Sequence, residues 1–254
     1  MRLYFGVTGW LFSKLNSWFK CDAIVRSDMK GEVKKCIDAG VPHLHVDVFD
    51  GVYLDSPHAL TFGPQMVDAI RKRFTEHPEL VLDIHLCVDR PARYATAMAE
   101  SGASRIIFMF EALSLDEAVE LAQTITSLGM SCGVSINPDT SISDIYPLLE
   151  TGLVDLVDIL AVEPGFGGQE FNPVSEQKIK DLRQWREEHL RNRGIDLKIL
   201  VDGGINSKTI KCVVKAGADI CVAGTAIFRH KDGFSAALRE LNDQQNSERK
   251  GQGS

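Results

Sequence analysis

From residue 21 to residue 242 the chain alternates between two hydrophobic periods. Short runs of β-branched and aliphatic residues lie at 23–25, 43–49, 80–88, 105–110, 131–136, 156–162, 197–202 and 220–223. Their length and composition predict strands. Between them apolar residues recur at the three- and four-residue spacing of helices. The segments are MKGEVKKCIDAG, GPQMVDAIRKRF, PARYATAMAESG, SLDEAVELAQTITSLG, SDIYPLLETG, SEQKIKDLRQWREEHLRNRG, SKTIKCVVKAG and KDGFSAALRELN. Gly40, Gly102, Gly129, Gly152, Gly194 and Gly217 end six of these patterns, where a helix C-cap calls for positive φ. Eight strands alternating with eight helices predict a parallel sheet. Eight such units in 254 residues, with no linker and no shift in composition, predict one α/β domain, a TIM (β/α)8 barrel over 21–242. A doubly wound open sheet is the competing arrangement. It is disfavoured because no GxGxxG follows the first strand.

The ends read differently. Residues 1–20 contain no acid and carry Arg2, Lys14 and Lys20, with an apolar and aromatic stretch over 3–12. They are expected to form an N-terminal extension packing on the barrel, or a targeting segment. Residues 243–254 are polar and Gly-containing, and read as a frayed, disordered tail.

Charge and composition narrow the function. The chain has 28 Lys and Arg against 35 Asp and Glu, a net charge of −7, which excludes general nucleic-acid binding. No apolar run approaches the roughly 18 residues of a membrane helix. Six Cys are scattered without a CxxC pair, as suits a reduced cytoplasmic chain. An organelle is the alternative if residues 1–20 are a targeting segment. Nucleic acid and membrane are not expected partners, and further copies of the same chain are.

In a barrel, chemistry sits at the C-terminal ends of the strands and in the loops after them. The second strand reads HLHVDVFDG. Side chains alternate faces, so His43, His45 and Asp47 share one, with Asp47 nearest the end and His43 deeper, in packing. A lone His-x-Asp is more often a hydrogen-bonded polar pair than a ligand set. The third strand ends LDIHLC, where His85 shares a face with Asp83 and Cys87. A second His at a strand end raises the case for a metal, because imidazole and carboxylate suit Zn, Fe or Mn. Cys87 is a ligand, a nucleophile or, more commonly, a small core hydrophobe. The sixth strand runs into Gly165-Phe166-Gly167-Gly168, the seventh ends Asp202-Gly203-Gly204, and the eighth ends Gly224-Thr225. Glycine backbone N–H groups there can cradle an oxyanion, and phosphate sites after strands seven and eight are frequent in these barrels. Asp47 and Asp202 then face each other across the mouth. A phosphorylated sugar held by its phosphate could lose a proton from carbon to one Asp and regain one from the other. A metal would stabilise the enediolate, without which a carboxylate is a weak base toward C–H.

The strings HLHVDVFDG, LTFGP (60–64), LDIHL, GVSINPDT (133–140), VEPGFGGQEF (162–171), ILVDGGIN and VAGTAIF resemble the ribulose-phosphate 3-epimerase family over residues 23–240. The resemblance implies a TIM barrel that interconverts D-ribulose 5-phosphate and D-xylulose 5-phosphate in the pentose phosphate pathway. It implies one divalent metal ion (Zn, Fe, Mn or Co) held by His45, Asp47, His85 and Asp202, with Asp47 and Asp202 also the two acid/base residues. Gly165, Phe166, Gly167, Gly168, Gly203, Gly204, Gly224 and Thr225 contact substrate by the same pattern, chiefly its phosphate, as does His85.

The chain departs from that pattern around the reacting end. The first strand has Asp22-Ala23-Ile24-Val25 where the family has Pro-Ser-Ile-Leu, so a hydroxyl is lost at Ala23. Phe49, Cys87 and Leu160 stand for family Met residues, and Met109 for a His, while Glu111 remains. The loop 52–59 is longer and lacks the usual Phe-Val-Pro-Asn. None of these changes removes a ligand or an acid/base Asp. Two other functions stay open: an epimerase of a related ketose phosphate such as allulose 6-phosphate, and a non-catalytic barrel relative. The second is opposed by the intact His45, Asp47, His85 and Asp202, since buried unpaired carboxylates are costly.

Overall fold

A computed structural model describes residues 2–6, 29–61, 63–165 and 168–252. Eight parallel strands follow one another in sequence order and close into a barrel. They are β1 (Arg2–Gly6), β2 (His43–Phe49), β3 (Val81–Cys87), β4 (Arg105–Met109), β5 (Ser131–Ile136), β6 (Leu156–Leu160), β7 (Lys198–Asp202) and β8 (Ile220–Val222). The helices are α1 (Met29–Asp38), α2 (Pro64–Arg73), α3 (Ala95–Glu100), α4 (Leu115–Ser127), α5 (Tyr146–Glu150), α6 (Val174–His189), α7 (Ile210–Ala216), α8 (Thr225–Phe228) and α9 (Phe234–Gln252). The TIM barrel expected from the alternation is the observed fold. All eight helical patterns form, and short α8 is added after β8.

Local chemistry explains where elements begin and end. Ser114 caps α4: its hydroxyl accepts from the Glu117 N–H, and the Glu117 carboxylate accepts from the Ser114 N–H, a reciprocal capping box. The six glycines ending the helical patterns all lie at positive φ. Strands β2 to β8 are largely buried on both faces because a barrel strand is covered inside and outside. Inside, Ile107, Leu156, Leu200, Ile220 and Val222 pack into one buried cluster. This plug closes part of the interior with large aliphatics, as barrel layers do.

Two expectations need correction. The first strand position is filled by Arg2–Gly6, which pairs with β2 and with β8. Those residues were expected to lie in an extension beside the barrel, and 23–25 was expected to be the strand. Leu3-Tyr4-Phe5 is a β-prone run, and a barrel without a first strand would leave the edges of β2 and β8 unpaired. Residues 23–25 lie outside the described residues. At the other end α9 continues to Gln252, so 243–252 is not a frayed tail. Its Gln, Glu, Arg and Lys are good helix formers, and Gln245 is buried. No helix among the described residues is long and apolar enough to cross a membrane.

Candidate active site

Strand register brings the candidate residues together. Asp47 is level with His85 across β2 and β3, and Asp202 with Leu160 across β7 and β6. The end of β2 is tied down by Thr61, whose hydroxyl donates to the Asp47 carbonyl at 3.0 Å and accepts from the Phe49 N–H at 2.8 Å. This is a structural use for the LTFGP string.

His45, Asp47, His85 and Asp202 each offer one donor atom, and these atoms all lie within 4.8 Å of one another. His45 Nε2 is 3.2 Å from Asp47 Oδ1 and 3.7 Å from Asp202 Oδ2. His85 Nδ1 is 3.1 Å from Asp47 Oδ1 and 3.4 Å from His45 Nε2. Donors about 2.0–2.2 Å from a shared ion in a tetrahedral site stand about 3.3–3.6 Å apart. The four residues therefore fit a divalent cation in spacing as well as in donor type.

Without an ion the same contacts displace the titrations. Burial favours neutral His45, but the hydrogen bond and charge of Asp47, with the charge of Asp202, raise it to about 9. Burial pulls Asp47 upward, yet hydrogen bonds from His45 and His85 hold it well below the usual carboxylate range. Asp202 is pushed up to about 7 by burial and by the charges of Asp47 and Asp158, against the pull of His45. Two carboxylates driven in opposite directions are what an acid/base pair needs.

These groups open into a cavity of about 380 Å³. Asp47, His85 and Asp202 line one part of it, with Phe49, Cys87 and Leu160 as apolar neighbours. Gly165, Gly168, Gly203, Gly204, Gly224 and Thr225 line another part. Phe166 and Gly167 lie outside the described residues. His45 is buried and does not line the cavity. A Cβ on Gly203 would come within 2.4 Å of the Val162 side chain, and one on Gly204 within 2.6 Å of the Phe171 backbone. Both glycines are thus required by packing, whatever else they do. Asn206 and Thr209 fix the same loop, each donating a side-chain hydrogen bond to the Gly204 carbonyl.

Other residues singled out by the sequence fall elsewhere. Asp83 pairs with Arg105 at 2.9 Å at the base of the barrel. Cys87 is buried, and burial pushes its thiol upward, so the hydrophobe reading fits better than the nucleophile. Met109 packs with Phe49, Ala59, Cys87 and Leu160 in one apolar cluster. Glu111 accepts from the Asn137 N–H at 2.7 Å and from the Thr140 hydroxyl, holding the loop after β5. Glu163, Gln169, Glu170 and Asn206 also line the cavity. Sequence reasoning passed over them because a loop has no side-chain period to show which residues face inward. Asp158 was missed too, being one acid within an apolar strand.

A family model described as the ribulose-phosphate 3 epimerase family matches residues 23–228. The chain is 36% identical over 203 residues to the cytoplasmic isoform of ribulose-phosphate 3-epimerase from Oryza sativa subsp. japonica, covering 80% of this chain and 82% of that one. It is 35% identical over 201 residues to ribulose-phosphate 3-epimerase from Bacillus subtilis, covering 79% and 86%. Among solved structures, KGPDC from Streptococcus mutans aligns at a TM-score of 0.62 with 15% identity, over 97% of this chain and 97% of that one. That likeness concerns the fold alone. The sequence matches and the strand-end groups point the same way: the chain belongs to the ribulose-phosphate 3-epimerase family.

Proposed function

We propose that the chain interconverts D-ribulose 5-phosphate and D-xylulose 5-phosphate by moving a proton at C3. The observation that carries this reading is a pair of carboxylates, Asp47 and Asp202, opening with His85 into one cavity that also has a glycine-lined wall. His45, Asp47, His85 and Asp202 would hold the divalent ion, one of Zn, Fe, Mn or Co, since two imidazoles and two carboxylates suit each. When bound, the ion supplies Lewis-acid stabilisation of negative charge on a substrate oxygen.

The chain's own groups do the rest. In one direction Asp47 accepts the C3 proton and Asp202 delivers one to the opposite face. In the other direction the roles exchange. Backbone N–H groups of Gly165, Phe166, Gly167, Gly168, Gly203, Gly204 and Gly224, with Thr225, are suited to hold the phosphate. Phe49, Cys87 and Leu160 keep water from the reacting end. The working compartment is the cytoplasm, where scattered thiols stay reduced.

The test is a coupled assay of the purified protein on D-ribulose 5-phosphate, with metal content measured on the same sample. Formation of xylulose 5-phosphate that disappears with chelation and returns with a divalent ion supports the reading. A metal-loaded protein that leaves ribulose 5-phosphate unchanged overturns it.

A further inference from the structure

Near the four donors the barrel interior holds another carboxylate. Asp158 on β6 is fully buried and does not line the cavity. Its Oδ2 accepts a hydrogen bond from the Ser135 hydroxyl at 3.0 Å and lies 3.8 Å from His85 Nδ1. Its Oδ1 is also buried and has no hydrogen-bond partner among the described residues. A carboxylate in this state is costly unless positive charge stands close. Among the described residues its ion-pair partner is His85.

His85 lacks the usual support for a ligating imidazole. Such a ring is normally held by a carboxylate, carbonyl or water on its second nitrogen. Here Nε2 faces two sulfur atoms, Met109 Sδ at 3.2 Å and Cys87 Sγ at 3.5 Å, which are weak acceptors. Its Nδ1 faces Asp47, His45 and Asp158. Asp47 and His45 are themselves candidate ligands, which leaves Asp158 as a carboxylate close to the ring but outside the donor set.

We propose that Asp158 is an outer carboxylate of the metal centre that acts on it through its charge. A metal-bound Nδ1 carries no proton for Asp158 to accept, so the carboxylate acts through charge: it adds negative charge near the ion, and so strengthens divalent-cation binding. This rests on reading the four donors as a metal site. The competing account makes Asp158 and Ser135 a polar pair that merely fills the barrel interior.

Affinity for Zn²⁺ and for Mn²⁺ separates the two accounts. It is measured by competition with a chromophoric chelator on metal-stripped wild type, Asp158→Asn and Asp158→Leu. Melting in chelator and binding of inorganic phosphate are read on the same samples. Leu matches Asp158 in branching and in number of side-chain heavy atoms, and has Leu156 and Leu160 on the same strand face. Loss of an outer-shell partner typically weakens metal binding by about 10- to 100-fold, and both variants should fall in that range for both ions. In Asp158→Leu the metal-free melting temperature should hold, because losing the unpartnered buried oxygen offsets the hydrogen bond that Ser135 loses, and phosphate affinity should stay within about twofold in both variants. Metal affinity within about twofold of wild type in a folded variant overturns the proposal. So does a lowered metal-free melting temperature with metal affinity unchanged. A wild type that binds neither ion sinks the metal site itself, an outcome distinct from variants that bind as well as wild type.

Discussion

Gly204→Ala isolates one methyl group at the wall of the cavity. Gly204 has φ 66, and the added Cβ would lie 2.6 Å from both Cα and N of Phe171. Left-handed backbone costs a non-glycine residue about 1–2 kcal/mol. The clash is with backbone, not the tip of a flexible chain, and overpacking of that kind adds about 1–3 kcal/mol. The total is about 2–5 kcal/mol, and each kcal/mol lowers Tm by about 2–4 °C in a chain of this size. Gly168 supplies the control: it has φ 90, but nothing lies within 4 Å of its Cβ position. Gly168→Ala should therefore cost only the backbone share, about 1–2 kcal/mol, while placing its methyl group at the cavity wall. Thermal melting and inorganic-phosphate affinity on both variants read the two effects separately. Gly204→Ala should melt well below Gly168→Ala, and both should bind phosphate more weakly than wild type. A Gly204→Ala protein melting within about 2 °C of wild type would refute the close approach to Phe171. Unchanged phosphate affinity in both variants would leave these glycines as turn formers and remove their part of the phosphate cradle.

Asp47→Asn and Asp202→Asn should each cut epimerisation by about 10²- to 10⁴-fold or more without loss of fold, and one of them should still exchange the substrate C3 proton with deuterated solvent by NMR. Ready turnover by either variant removes the two-base mechanism. Melting of the metal-free protein should depend on pH through His45, whose pKa is raised to about 9 in the fold from about 6.5 unfolded. A raised pKa stabilises below the unfolded value and is lost as pH climbs through the folded one, so Tm in chelator should fall between about pH 6.5 and 9, by the equivalent of up to about 3 kcal/mol. The metal-loaded protein should lack this fall, and a flat metal-free profile would show that His45 is not held by Asp47 and Asp202.

The reading from sequence succeeded where period and position carry the information. Alternation along HLHVDVF put His45 and Asp47 on one face, and strand register then set His85 beside Asp47. Seven of the eight strands and all eight helical patterns follow from apolar spacing, because a barrel buries both faces of each strand and one face of each helix. The first strand failed for a physical reason: two short β-prone runs lie upstream of α1, and local pattern does not decide which one pairs with both β2 and β8. The tail failed because polarity without proline is equally compatible with a solvated helix, and α9 uses it so. The cavity wall was legible only in part. Repeated glycine marked it, but that Gly203 and Gly204 are also demanded by Val162 and Phe171 is a tertiary fact.

Charge around the cavity ties the two halves of the site together. The described side chains lining it include the carboxylates of Asp47, Asp202, Glu163 and Glu170, and no Lys or Arg. A substrate phosphate thus meets four carboxylates, with the imidazole of His85 set against them. Backbone N–H groups in the glycine loops carry partial positive charge and can hold an oxyanion locally, but they do not cancel four carboxylates. A divalent ion on His45, Asp47, His85 and Asp202 would neutralise two of those charges at the floor and leave Glu163 and Glu170 nearer solvent, where screening weakens them. Metal occupancy then does more than assist proton transfer, because it lowers the negative charge that an anion meets in the cavity. Asp158 bears on the same balance from inside the barrel. A further carboxylate close to His85 favours the cation, so the interior charge that looks most expensive in the metal-free protein is the one that helps the site become fit for its substrate.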